Sequence, residues 1–352
     1  MDFNYRFPVV KGIQAGHEYF IAMVPLRMIP RLFPSDEEYV LPEYRAQRKL
    51  NVSRIPAIRN YILNNRETYV FSALAASIDG EFSFIPDSNF PDLGVLEVSM
   101  DAKFLINDGQ HRKAAILEAI REDESLLNET ISVVFFEDQG LARSQQMFTD
   151  LNKHAVKTSN SIAELYDSRD ALAVVTRHVI NSIPFLNTYT DKEKDNLGKY
   201  SSNLFTLNTF YAANRIILGS GGPNEAFQAF LIRFWNAVTD NMLLWKALDN
   251  KEIPKNDIRE NYIVTQGVLI QAFGRIGKYY YRNGDSDMEE QLSKIQNINW
   301  RRNAEHWMMR AINEKGRVIT NNKAILLIGN YIKQEIGIPL SEDELAAESK
   351  II

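Results

Sequence analysis

Near Ser161 the hydrophobic period of this 352-residue chain changes, which marks a change of architecture along the chain. Before it, short β-rich runs alternate with helical stripes. After it, the apolar residues recur almost everywhere at helical spacing. The expected fold class is therefore α+β: a mixed α/β domain over residues 1–160, an all-helical domain over 161–340 and a short acidic tail over 341–352, which reads as a helix or as disorder.

Within the first part, 19–26 reads as the strand that opens the fold. Residues 42–65 read as helical, with Pro56 starting a second helix because proline suits a first turn. Residues 69–78 are extended, Gly80 marks a turn, and 93–98 and 103–106 are short strands. A helix is expected over 113–123 with Ala115, Ile116, Ala119 and Ile120 inward. The continuous apolar run 131–136 reads as a buried strand, and Leu141, Ser144, Phe148 and Leu151 mark one face of a following helix.

In the second part, Ile162, Leu165, Tyr166, Leu172, Val179 and Ile183 fit a single long amphipathic helix. Further helices are expected over 204–218, 224–248, 261–281, 300–314 and 321–336, and Ser201 or Asn203 is expected to cap the first of these. Breakers stand at 220–223 and 283–285. No repeat at a solenoid period is present.

The chain has no cysteine. That removes thiol nucleophiles, Cys-ligated zinc and iron–sulfur clusters, and it fits a reducing compartment. Residues 1–10 carry no apolar signal core and no run approaches the length of a membrane span, so the expected location is cytoplasmic, with no membrane partner. The net charge of −5 excludes a uniformly basic nucleic-acid coat. The charge is uneven, however. Residues 161–340 hold 22 Lys and Arg against 19 Asp and Glu, whereas 1–160 hold 17 against 22. A basic patch must come from folding these charges onto one face.

The chemistry-bearing segment lies at 103–120. A strand ends in Asp108-Gly109-Gln110-His111-Arg112 and a helix follows. Gly109 permits positive φ and close backbone approach. The first N–H groups of a helix have no internal partner and, with the dipole, favour an anion such as phosphate. Arg112 and Lys113 oppose the dipole unless an anion lies between them. The same spacing also describes an ordinary turn, with His111 as a helix-start residue and Arg112 as a surface ion-pair partner.

The string itself is more specific. Asp108 to Arg112 reads DGQHR, and the chain resembles the DGQHR-domain family, whose best-known members are the DNA sulfur modification proteins called DndB. That family resembles a distant branch of the ParB/sulfiredoxin-like fold. ParB-type nucleotide sites carry Gly-x-Arg-Arg at the matching turn and sulfiredoxins Gly-Cys-His-Arg, so Gln110 stands where a sulfiredoxin has its catalytic cysteine. Gln47-Arg48 with Arg54 and Tyr61 resembles the family's N-terminal stretch. Asp150-Leu151-Asn152-Lys153 with Thr158-Ser159 resembles its second box, similar to the ParB helix that closes over nucleotide phosphates. Leu204-Phe205-Thr206-Leu207 resembles the family in the helical half.

The resemblance implies a ParB/sulfiredoxin-like first domain and a phosphate or nucleotide site at Gly109, Gln110, His111, Arg112, Lys113, Asn152, Lys153, Thr158 and Ser159. The candidate cofactor is ATP or another nucleoside triphosphate with Mg2+. Lys153 also has an ordinary place at a helix C-terminus. For DNA, the candidates are Arg48, Arg54, Lys192, Lys194, Lys199, Arg301 and Arg302. Residues 191–199 also read as a solvated loop, and the late basic cluster around Arg301, Arg310, Lys315 and Arg317 also suits surface ion pairs. No two of the five histidines lie four residues apart, so no helical zinc pair is present, and no metal site is expected. His178 reads as a core residue. Walker A, Gly-x-Ser-x-Gly and dinucleotide fingerprints are absent.

By resemblance, the expected function is a DNA-binding negative transcriptional regulator of a bacterial DNA phosphorothioation system. Its partner would be double-stranded DNA at the promoter of the modification genes, with a second copy of the chain or other modification-complex proteins as further partners. The rival class is a nucleoside triphosphatase or nuclease-like component in which Asp108 or His111 positions water or a metal. A third is a scaffold for the complex. With no thiol, the chain carries no persulfide, so it reads, regulates or organises rather than transfers sulfur.

Overall fold

In a computed structural model the chain divides into two compact units, Met1–Val156 and Lys157–Ile352. The structure describes residues 4–34, 51–138, 140, 143, 146–147, 149–151, 159–198 and 201–350. Of the expectations above, the helix over 42–50, with Arg48, and Leu141, Ser144, Phe148, Asn152, Lys153, Thr158 and Lys199 lie outside these residues.

The first unit is built on a seven-stranded sheet in the order β4-β5-β1-β2-β7-β3-β6. Its strands are β1 (Asn4–Gln14), β2 (His17–Pro25), β3 (Leu74–Asp79), β4 (Phe82–Pro86), β5 (Leu93–Ser99), β6 (Lys103–Asp108) and β7 (Thr130–Glu137). All neighbours are antiparallel except β3 and β7, which run parallel. Helices α1 (Ile29–Leu32), α2 (Ile55–Asn64) and α3 (Gln110–Glu122) accompany the sheet.

The fold opens one strand earlier than expected. Pro8 and Gly12 hide β1 from a propensity reading, since both are poor inside strands. Yet Phe7 and Val9 point into the core and β1 lies between β2 and β5. The inner sheet face stacks Phe7, Phe20, Val24, Leu74, Leu96, Val98, Val133 and Phe135. Against them pack Ile29, Leu32, Ile62, Ile116 and Ala119 from the helices. Pro56 sits in the first turn of α2, as its ring demands. The alternation of β7 makes it a sheet-centre strand with only Ile131, Val133 and Phe135 fully inward.

The second unit is helical, apart from a two-residue parallel pair, β8 (Thr190–Asp191) with β9 (Phe205–Thr206). Its helices are α4 (Asn160–Tyr166), α5 (Ala171–Ser182), α6 (Pro184–Tyr189), α7 (Leu207–Leu218), α8 (Glu225–Asn241), α9 (Leu243–Asp249), α10 (Lys255–Asn261), α11 (Gly267–Asn283), α12 (Met288–Ser293), α13 (Asn322–Ile336) and α14 (Glu342–Glu348). Trp235, Trp245, Trp307, Phe210, Phe227, Phe234 and Phe273 fill the core.

Several expectations change here, including the helix over 224–248, which breaks at Met242 into α8 and α9. The single helix over 162–183 is two, because Asp170 turns its carboxylate onto the N–H groups of Leu172 and Ala173 and starts α5. The cap of α7 is Thr206, which accepts from Thr209, rather than Ser201 or Asn203. The expected helix over 300–314 is irregular chain around a 3-10 turn at Glu305–Trp307. There the indoles of Trp300 and Trp307 donate to the carbonyls of Ile295 and Asn299 and stack at 5.5 Å, so side-chain anchoring replaces a helical ladder. His178 is exposed on α5, not packed in the core.

The acidic stretch after Pro339 forms α14, with a capping box between Ser341 and Glu344. Glu344 is buried and accepts from Lys333 Nζ at 2.7 and 2.9 Å and from Arg275 at 2.9 Å. Its carboxyl is held below the usual range: burial works against this, but Lys333 and the Ser341 N–H outweigh it.

Candidate functional site

The DGQHR string spans the end of β6 and the first turn of α3. β3 and β6 pair with a register shift: Ala75 faces Asp108 while Ala76 faces Ile106. Asn107 is therefore an extra, bulged residue, and a bulge re-aims its side chain. That side chain is fully buried and accepts from Ser77 Oγ at 2.9 Å. Gly109 then turns the chain with φ at +102°, and a Cβ there would lie 2.3 Å from Leu74 Cδ2. The position demands glycine twice over, by conformation and by contact. The helix starts at Gln110, three residues before the expected start, and Gly109 supplies no side-chain cap. The first bond of the ladder runs from Lys113 N to Gly109 O. The N–H groups ahead of it lie outside the helical ladder.

The cationic and polar side chains of this turn are held by the fold itself. The Arg112 guanidinium donates to Ser72 O and Ser72 Oγ, both at 2.6 Å, to Ala73 O at 2.8 Å and to Asp108 Oδ2 at 2.5 Å. His111 Nε2 accepts from the Asn51 N–H at 3.1 Å, so that nitrogen is the unprotonated one in this arrangement. Lys113 Nζ donates to Pro34 O at 3.3 Å. Three consecutive side chains thus fasten the start of α3 to three separate segments. Two other donors are left over. Asn107 Nδ2 and Gln110 Nε2 are buried with no acceptor among the described residues. Each such orphan costs about 1–3 kcal/mol unless something answers it.

The remaining candidates are dispersed. Arg54 is exposed in the 3-10 turn before α2. Ser159 caps α4 through Ile162 N and donates to the Glu193 carbonyl. Asp195 accepts from the N–H groups of Asn160 and Ser161, both at 2.8 Å, so a carboxylate of the 191–198 loop already occupies this helix end. Lys192 Nζ bonds the Asn181 and Asn187 side chains, and Lys194 is exposed. Arg301 is exposed over the Tyr262 ring at 5.0 Å. Arg302 turns inward to the carbonyls of Arg259 and Tyr262, and burial lowers its pKa. Among the described residues no group of three or more His, Asp or Glu converges as a metal site. Nor is any helix there long and apolar enough to cross a membrane.

A cavity of about 550 Å³ lies in the first unit, lined by Met23, Ile62, Arg66, Tyr69, Phe71 and Ile116 among others. Its polar wall is a network. Arg66 pairs with Asp123 at 2.9 Å and Glu129 at 2.8 Å, and Tyr69 donates to Glu129. Burial, reinforced by Glu129, pushes the Tyr69 hydroxyl up to about 12. No local string announces this wall, because its members lie up to 63 residues apart (Arg66 to Glu129) and meet only in the fold.

Comparison with known proteins agrees with the turn. The model of the DndB family, described as DNA-sulfur modification-associated, matches residues 7–339. No curated protein and no solved structure matches the chain. The match runs from the middle of β1 to just beyond α13, so it embraces both units and the DGQHR turn. The chain belongs to the DndB family of DNA-sulfur modification-associated proteins, which places its role in a DNA sulfur modification system.

Proposed function

We propose that this protein is a DNA-binding negative regulator of the modification genes, and that the turn at 109–113 takes a phosphate group, that of a nucleoside triphosphate carrying Mg2+ or of DNA. One observation carries the phosphate assignment: an uncapped helix start, reached through a bulge and a left-handed glycine, with two buried amide donors that lack acceptors. The groups that would hold phosphate are the first N–H groups of α3 and the Gln110 amide. Arg112 would act at one remove, by fixing the turn. The ParB-like character of the site rests on the same turn. The regulatory half rests on family membership and on the cationic balance of residues 161–340.

A scaffold role is favoured by a different observation. Leu93, Val10, Ile21 and Val134 form one cross-strand row on the outer sheet face, and the first three are exposed. Such a face suits a protein partner.

The test is direct titration of the purified chain with ATP, CTP and duplex DNA from the promoter of the modification genes. A bound triphosphate that Gln110→Glu loses, and promoter binding that weakens steeply with salt, support the proposal. A chain that binds neither overturns it.

A further inference from the structure

Besides the basic residues singled out in the sequence, the fold gathers cations on one face of α11. Gln271, Arg275, Lys278 and Arg282 follow one another at i, i+4, i+7 and i+11, which places them on a single face of the helix. Arg282 is exposed, and the other three are half-buried. The opposite face, with Ala272, Phe273, Ile276, Gly277 and Tyr280, is buried. From Arg275 to Arg282 is seven residue steps, about 10 Å along the axis.

Like charges at this spacing repel one another, and the effect is visible. The Lys278 ammonium is pushed to a lower pKa, first by burial and then by Arg282 and Arg275. Arg275 has the Glu344 carboxylate beside it. Lys278 and Arg282 have no carboxylate within ion-pair reach among the described residues. Asp285 and Glu289 of the following segment are paired with Arg233 instead. The Arg282 guanidinium lies over Gly219, at the end of α7.

The platform is rigid. Gly274 meets the Ala213 carbonyl so closely that a Cβ would come within 2.7 Å of it, and Gly277 does the same against Ile217. A repulsive row held on a fixed helix needs an anion to complete it, and a row of anions fits better than a single one.

We propose that this face of α11 is a surface for the phosphate backbone of duplex DNA. The inference rests on the DNA-binding role proposed above and assigns the surface to it. The row gives no base-reading geometry, so its contribution is affinity and salt dependence rather than sequence choice.

The experiment measures binding of the full chain to a fluorescent 30-base-pair duplex across a salt series. Lys278→Glu with Arg282→Glu is compared with Lys103→Glu with Lys246→Glu, an equal change of charge on exposed residues elsewhere. Lys278→Gln with Arg282→Gln serves as the milder pair, and all variants are checked for an unchanged melting curve. The expected result is at least about a tenfold loss of affinity for the α11 reversal, with the salt slope reduced by about two. The Gln pair should lie between this variant and the unaltered chain, and the control pair should bind nearly as the unaltered chain does. If the α11 variants bind as tightly as the control pair, the surface is wrong while the regulator role stands. If the unaltered chain binds no duplex, the regulator role itself falls, and this inference with it.

Discussion

Arg112 shows how a motif can be chemically conspicuous and still be structural. Its charge at the start of a helix opposes the dipole, which suggests a bound anion when only the sequence is in view. In the fold its guanidinium meets two backbone carbonyls, a hydroxyl and the Asp108 carboxylate, and its side chain is only 17% exposed. This is fork chemistry that lysine cannot reproduce. Arg112→Lys should therefore destabilise the first unit by about 1–3 kcal/mol in urea unfolding. Triphosphate affinity of the folded variant should stay within about threefold, because lysine leaves the helix N–H groups and Gln110 in place. A large loss of affinity with unchanged stability would make Arg112 a ligand contact instead. Gln110 is the reverse case. It is neutral and unremarkable in a string, yet it holds the amide with no acceptor.

At the scale of elements, α4 and the loop docked on it carry a pH response. Glu164 on α4 is half-buried, and one carboxylate oxygen has no partner among the described residues. Burial first, then repulsion from Asp195 and Asp170, raises its pKa to about 7, with Arg215 acting in opposition. The unfolded carboxyl releases its proton near 4.5, whereas the native one keeps it to about 7. Between those values the native state binds the extra proton, so this group's contribution to stability is full below about 4.5 and declines as pH rises to about 7. Glu164→Gln should remove that decline. Urea unfolding on either side of the window should show the variant gaining on the parent chain as pH rises. Parallel curves would show that Glu164 titrates as an ordinary exposed carboxylate.

Much of this level was legible beforehand. The strands at 93–98 and 103–106, the Pro56 start of α2 and the helix over 321–336 all follow from local period and turn chemistry. The misses share a cause: a side chain outweighed the local pattern. Asp170 split a continuous apolar stripe by capping, and Trp300 and Trp307 anchored a segment with helical spacing as irregular chain. Pro8 disguised a central strand. The bulge at Asn107 depends on how β6 pairs with β3, which no local string records.

For the whole molecule, a chain of net charge −5 must concentrate cations to hold DNA. Residues 161–340 carry the surplus, and α11 gathers part of it into a row with too few local acids. Arg301 and Arg302 stood out as neighbours in sequence, but folding separates their roles, Arg302 inward and Arg301 outward. The α11 row was invisible as a motif because its members are spread over a helix that also supplies core. The absence of cysteine leaves the chain no thiol of its own to carry sulfur.

The central claim, that the DGQHR turn binds phosphate through helix N–H groups and the Gln110 amide, is tested most directly by ligand-linked stability. The unfolding free energy of the full chain is measured with and without saturating Mg-triphosphate, for the unaltered protein and for Gln110→Glu. The expected result is a gain of about 2–3 kcal/mol for the unaltered chain at roughly a hundred times its Kd, and almost none for Gln110→Glu, each measured against its own ligand-free stability. Equal gains in both proteins, or no gain in either, would contradict it.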